Sequence, residues 1–201
     1  MSGAIALVDC GAGNLPSVEK ALAHVGCQVK RARAAADLDG CAGLVVPGVG
    51  HFAATTALRD RFGAALLHAV HRGIPLLGIC LGLQVLFEGS DEAPDVPGLG
   101  LLPGRCFRLH GPVKVPHVGW NALEPTRPSR LLEGLERDHV YFTHSYAAPL
   151  TDATVAITSH GAPFASAVER GRVFAVQWHP EKSGEAGIRA LRNFAEIVSS
   201  C

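Results

Sequence analysis

Long hydrophobic runs are missing from this 201-residue chain: its apolar stretches fall far short of the roughly 20 residues a membrane-spanning helix needs. An excess of charge is missing too. Lys and Arg number 18 and Asp and Glu 18, so no net field draws the chain to nucleic acid or to an anionic membrane. The start "MSGAIALVDC" has no basic leader and no cleavage pattern, which predicts no signal peptide and a cytoplasmic location. CxxC pairs are absent: Cys10, Cys27, Cys41, Cys80, Cys106 and Cys201 are scattered, as expected for reduced thiols rather than a disulfide frame. A dinucleotide fingerprint is also excluded, because "GAGNLP" (11–16) has Pro16 where the third glycine belongs. His68 and His71 sit about one helical turn apart with no further ligand set nearby. They read as solvated helix histidines, and neither a metal nor a cofactor is expected.

What is present has a clear organisation. The length suits one domain over residues 1–201, burying roughly 70% of the unfolded surface. "AIALVD" (4–9), "CQVKRA" (27–32), "AGLVVPG" (42–48) and "IPLLGI" (74–79) read as strands. Between them lie helical patterns at 16–26, opened by Pro16 and closed by Gly26, and at about 53–71; another begins near Leu81. Continuous apolar strands separated by helices predict an α/β fold: a doubly wound, mostly parallel sheet with helices on both faces. In such sheets ligands sit beyond the carboxyl ends of the strands, where the loops after Val8, Val46 and Ile79 fall. After a Gly/Pro-rich stretch (92–104) come short strand-like pieces, "CFRLH", "HVYFTHSY", "TVAITS", "FASAVE" and "RVFAVQWH". They predict an antiparallel extension of the sheet, closed by an amphipathic helix over 183–200.

One stretch asks for a chemical explanation. "GICLGLQVLFEGS" (78–90) sets Cys80 between two glycines where a strand turns to a helix. A nucleophile must project from a sharp strand-to-helix turn, whose flanking residues must be small or tolerate unusual dihedrals, as Gly78 and Gly82 do. The helix N-terminus then favours a thiolate, and the Leu81 N–H points to where an oxyanion forms. Taken alone, the same motif suits a small hydrophobe packed at a strand end, with glycines for close helix–sheet packing. "QWHPEKS" (177–183) offers the base. His179 and Glu181, two apart in an extended segment, project to one side, so the carboxylate holds one imidazole nitrogen and the other faces a thiol. Singly, His-Pro-Glu also suits a surface turn. "VVPGVGHF" (45–52) ends a strand in Pro-Gly-x-Gly, whose free N–H groups make the Val49 amide, with Gly50, a second oxyanion donor beside Leu81.

These three pieces, in this order, resemble the triad (class I) glutamine amidotransferases. "DCGAGNLPSV", "PHVGWN", "YFTHSY" and "HPEKS" are similar to the branch that serves imidazole glycerol phosphate synthase. Cys10 departs from that pattern, which has an aromatic residue there. The resemblance implies hydrolysis of glutamine to glutamate and ammonia by Cys80, His179 and Glu181. It implies substrate contacts from Gln84, His144, Ser145 and Tyr146, with no cofactor. It also implies docking on a TIM-barrel cyclase through Asn14, Trp120, Asn121 and Lys182. On spacing alone Gln84 is equally a solvated helix glutamine, 144–146 an ordinary strand end, and Trp120 a buried aromatic. A glutaminase of another pathway and a non-catalytic module of the same fold stay open as alternatives.

Overall fold

The computed structural model describes residues 3–11 and 13–200. In chain order the elements are β1 (Ile5–Val8), α1 (Leu15–His24), β2 (Val29–Ala32), β3 (Gly43–Gly48), α2 (Thr55–His71), β4 (Leu76–Cys80) and α3 (Leu81–Gln84). The strands β5 (Gly89–Ser90), β6 (Ala93–Pro97), β7 (Arg105–Arg108), β8 (His117–Ala122), β9 (Glu124–Pro125), β10 (His139–His144) and β11 (Tyr146–Ala147) follow. Last come β12 (Thr154–His160), β13 (Ala162–Arg170), β14 (Val173–Val176) and α4 (Gly184–Ser199).

The main sheet runs β2-β1-β3-β4-β14-β13-β12-β9. Its first five strands are parallel and the last three antiparallel. Alternation along the central strands divides the core in two. Ile5, Leu7, Val45, Leu77, Ile79, Phe174 and Val176 meet α1 (Leu15, Val18, Leu22) and α4 (Leu191, Phe194, Ile197). Ala6, Val8, Leu44, Val46, Leu76, Val173 and Ala175 meet Leu58, Phe62 and Leu66 of α2. Both faces of these strands are covered, which is why they read as unbroken apolar runs. The expected doubly wound sheet with an antiparallel extension is what the chain forms.

Two differences bear on the site. The helix expected from Leu81 is a single turn, after which the chain enters β5. The apolar run after it packs as irregular chain: Val85, Leu86 and Phe87 are buried in the α2-side core. The expected strand at 139–146 is also only part of a larger feature. β10 pairs antiparallel with β8, which "PHVGWN" forms and whose mixed, glycine-containing pattern hides it. The strands β11-β7-β5-β6 form a separate small sheet. Among the described residues no helix is long and apolar enough to cross a membrane.

Candidate active site

The register of the main sheet assembles the site. β3 lies beside β4 with Gly48 opposite Cys80, and β14 flanks the other side with Val176 opposite Ile79. The chain leaving β3 and the chain leaving β14 therefore emerge on either side of Cys80. Cys80 itself has φ 55° and ψ −106°. A non-glycine residue there is strained, and the strain lifts the side chain off the strand end. Of the two reasons for glycine here, small size and unusual dihedrals, the first is the one that applies. Neither has positive φ; they permit close approach. A Cβ on Gly78 would stand 2.5 Å from the Gly82 carbonyl oxygen, and one on Gly82 would overlap the Val46 carbonyl. Either substitution would push the turn off the sheet.

His179 is 1% exposed and the Glu181 side chain 3%. Imidazole Nδ1 donates to Glu181 Oε1 at 2.9 Å. The extended geometry expected for this pair is not what joins them. His179 is extended, but Pro180–Lys182 is a 3₁₀ turn that swings Glu181 back to the ring, with Pro180 suited to its first position. The segment is pinned to β10: His179 N–H donates to the Tyr141 carbonyl, Tyr141 N–H to Ser183 Oγ, and Ser183 Oγ–H to the His179 carbonyl. Nε2 is buried and makes no hydrogen bond of normal geometry. It is the nitrogen left for Cys80, which lies close enough to act on the ring. Burial alone would lower the His179 pKa, but Cys80 and then Glu181 outweigh it and raise it to about 9. The imidazolium is held between a carboxylate and a sulfur.

Beside the thiol is a cavity of about 270 Å³, lined by Val49, Gly50, Cys80, Leu81, Gln84, Glu92, Pro116, Thr143, His144, Ser145 and Tyr146. All seven oxyanion and substrate candidates named from the sequence line it. Gln84 is buried, not solvated; its Nε2 donates to the Tyr146 carbonyl at 2.8 Å and to Gln177 Oε1 at 3.3 Å. His144 donates from Nδ1 to the same carbonyl at 2.9 Å, so its Nε2 is the acceptor for His117 Nδ1 at 3.1 Å. Burial lowers the pKa of His144 to about 3; burial and His160 lower that of His117 to about 4. Both rings are neutral.

A sequence comparison decides the family. The description "glutamine amidotransferase class-I" matches residues 6–198. The chain belongs to the class-I glutamine amidotransferases. Among its relatives, the imidazole glycerol phosphate synthase subunit HisH of Methanothermobacter thermautotrophicus is 46% identical over 195 residues, spanning 96% of this chain and 98% of that protein. The subunit of the same name from Deinococcus radiodurans is 47% identical over 199 residues, spanning 94% and 92%. In fold the chain is similar to a glutamine amidotransferase crystal structure (TM-score 0.78, 24% identity, 98% and 100% covered). PurLQS from Thermotoga maritima gives the same TM-score at 19% identity, with 98% and 99% covered.

The remaining residues singled out on amidotransferase resemblance lie outside the cavity. Trp120 is 56% exposed on β8, which corrects the alternative of a buried aromatic. It lies edge-on to Tyr141 of β10 at 6.2 Å, and Lys182 Nζ stands 5.6 Å from the Tyr141 ring centroid. Asn121 is partly buried, its Nδ2 shared between His117 Nε2 and the Ser159 carbonyl. Asn14 is exposed at the start of α1 and makes no side-chain cap bond. The thiols sort by environment. Cys106 is buried and burial pushes its pKa strongly up; Cys27 and Cys41 are raised by burial as well. Cys10 is half-buried, and Cys201 lies outside the described residues. Reading the sequence missed Glu92, Ser183, Gln177 and His117. Glu92 reaches the site by accepting from Phe52 N–H at 2.7 Å, and no local pattern signals a contact across that many residues.

Proposed function

We propose that this chain is a single-domain glutaminase subunit of an imidazole glycerol phosphate synthase, hydrolysing glutamine and passing ammonia to a cyclase partner in histidine biosynthesis. What carries the reading is His179, its Nδ1 held by buried Glu181 and its free Nε2 beside the Cys80 thiol. The full-length relatives named as synthase subunits supply the pathway.

In this mechanism glutamine enters the cavity with its side-chain amide over Cys80. The Cys80 thiolate attacks the amide carbon, and the C–O π electrons move onto oxygen. The N–H groups of Val49, Gly50 and Leu81 receive that oxyanion; losing one such donor lowers turnover by about 10²–10³. The His179 imidazolium gives its proton to the departing nitrogen, ammonia leaves, and a thioester remains. His179, now neutral, takes a proton from water as that water attacks, and the tetrahedral collapse expels the Cys80 thiolate beside the restored imidazolium and releases glutamate. Glu181 keeps Nδ1–H toward itself throughout, so Nε2 always serves the sulfur side. Gln84, His144, Ser145 and Tyr146 line the far wall and hold the amino-acid end. The Glu92 carboxylate, also in that wall, complements the substrate ammonium.

Ammonia released into neutral water is mostly protonated and no longer nucleophilic, so it must pass to its acceptor under cover. The partner is a TIM-barrel cyclase in the cytoplasm. Exposed Trp120, with Asn121, Lys182 and Asn14, forms the docking face; exposed aromatic anchors of this kind carry much of an interface's energy. The test mixes the chain with cyclase subunits of several pathways and measures glutamate formation. The reading expects the histidine-pathway cyclase to raise turnover. It fails if only a partner from another pathway does so, and the activity fails if no partner elicits turnover and a glutamine analogue leaves Cys80 unlabelled.

A further inference from the structure

We propose that Gln177 is a further catalytic residue: its side-chain amide donates a hydrogen bond to the Cys80 sulfur, and a chain of buried polar groups fixes which end of that amide faces the thiol. The inference deepens the glutaminase reading and rests on Cys80 being its nucleophile.

Gln177 is fully buried just past β14, at the register position beside the end of β4. Its Nε2 lies 3.7 Å from Cys80 Sγ, within hydrogen-bond reach of sulfur. The amide has two ends, and only the NH₂ end stabilises a thiolate; the oxygen would repel it. Its neighbours settle the choice. Gln84 spends one Nε2 hydrogen on the Tyr146 carbonyl and the other on Gln177 Oε1. That oxygen is therefore an acceptor facing Gln84, and the NH₂ faces sulfur. Gln84 is held in turn because the Tyr146 carbonyl also accepts from His144 Nδ1. With Nδ1 protonated, His144 Nε2 must accept from His117 Nδ1, and His117 Nε2 must accept from Asn121 Nδ2. Every member has one permitted donor or acceptor role, from Asn121 at the protein edge to the nucleophile.

Gln177 also complements His179, two residues on. The imidazolium must surrender its proton during acylation, whereas the amide keeps its hydrogen bond without transferring a proton. It holds Sγ toward the cavity and favours the charged sulfur until the thioester forms, when the sulfur becomes a poor acceptor. The charged and titratable groups facing this spot are His179 and Glu181 from the loop after β14 and His144 from β10.

The experiment measures the rate of Cys80 alkylation by iodoacetamide against pH in the full chain, for wild type, Gln177→Leu and Gln177→Glu. A hydrogen bond to a charged group predicts that Gln177→Leu lowers the rate about 10- to 100-fold on the acid limb and moves the midpoint to higher pH. Gln177→Glu, placing a carboxylate beside the sulfur, moves it at least as far. A midpoint unmoved in both folded variants overturns the proposal, whether or not the chain turns over glutamine. Should neither variant fold, the wild-type chain suffices, since it has only three glutamines, Gln28, Gln84 and Gln177. The Gln177 NH₂ resonances must then shift when Cys80 is alkylated, and indifference to alkylation overturns the proposal.

Discussion

His179 and His144 are neighbouring buried imidazoles that end in opposite protonation states. The first is raised to about 9 and the second lowered to about 3. Burial pushes both downward, so burial is not what separates them. His179 has a carboxylate on one nitrogen and a thiol at the other. His144 has a carbonyl and a second neutral imidazole. The charge of His179 itself helps keep His144 neutral. The chain thus sets a charged imidazole close to a neutral one. The difference is made by what each ring touches.

The strongest way to break this contrast is to remove the groups that charge His179. Cys80→Ala abolishes glutamine turnover in an ammonia-release assay. Glu181→Gln, which keeps the size but removes the charge, lowers kcat by about 10²–10⁴-fold and returns the His179 pKa toward its ordinary value, read by NMR titration. Unfolding against pH sharpens the comparison. Because the His179 pKa is raised in the folded state, its stabilisation is fully present below about pH 6.5 and fades as pH rises toward 9. His144 and His117 act oppositely: their stabilisation is present above about pH 6.5 and fades as pH falls toward 3–4. Denaturant titrations should lose a few kcal/mol at each end, with Glu181→Gln flattening the alkaline limb and His144→Phe the acid one. Away from the cavity, Trp120→Ala weakens cyclase binding about 10- to 100-fold by calorimetry while shifting Tm little, since its side chain is largely exposed. The smallest effect concerns Cys106. Its buried, proton-holding thiol stays unlabelled in the folded chain while Cys80 reacts, as peptide mapping would show.

Much of this is legible in the sequence alone. β1, β3 and β4 declare themselves because strands buried on both faces need no polar alternation, and Cys80 stands out because glycines flank it. The His179–Glu181 pairing was legible as spacing, although a 3₁₀ turn and not an extended segment makes the contact. What stayed hidden depends on distant partners. β8 exposes Val118 and Trp120, with Gly119 between them, so nothing in its pattern says strand until β10 pairs with it. The helix after Cys80 stops after one turn although its sequence continues in apolar residues, because those side chains fill the α2-side core. Gln84 reads equally well as a solvated helix glutamine and His144 as an ordinary strand end; in the fold both are buried and donate to the Tyr146 carbonyl. Glycine spacing announced the elbow and left small size and unusual dihedrals both open as its reason; the unusual dihedral belongs to Cys80 and the close approach to Gly78 and Gly82.

Trapping the covalent adduct tests the central claim most directly. The chain, mixed with the proposed cyclase partner, is treated with an electrophilic glutamine analogue and mapped by mass spectrometry. The account predicts one modified residue, Cys80, with labelling slowed in His179→Asn and lost in Cys80→Ala. An adduct on another residue, or undiminished glutamine hydrolysis by Cys80→Ala, would contradict it.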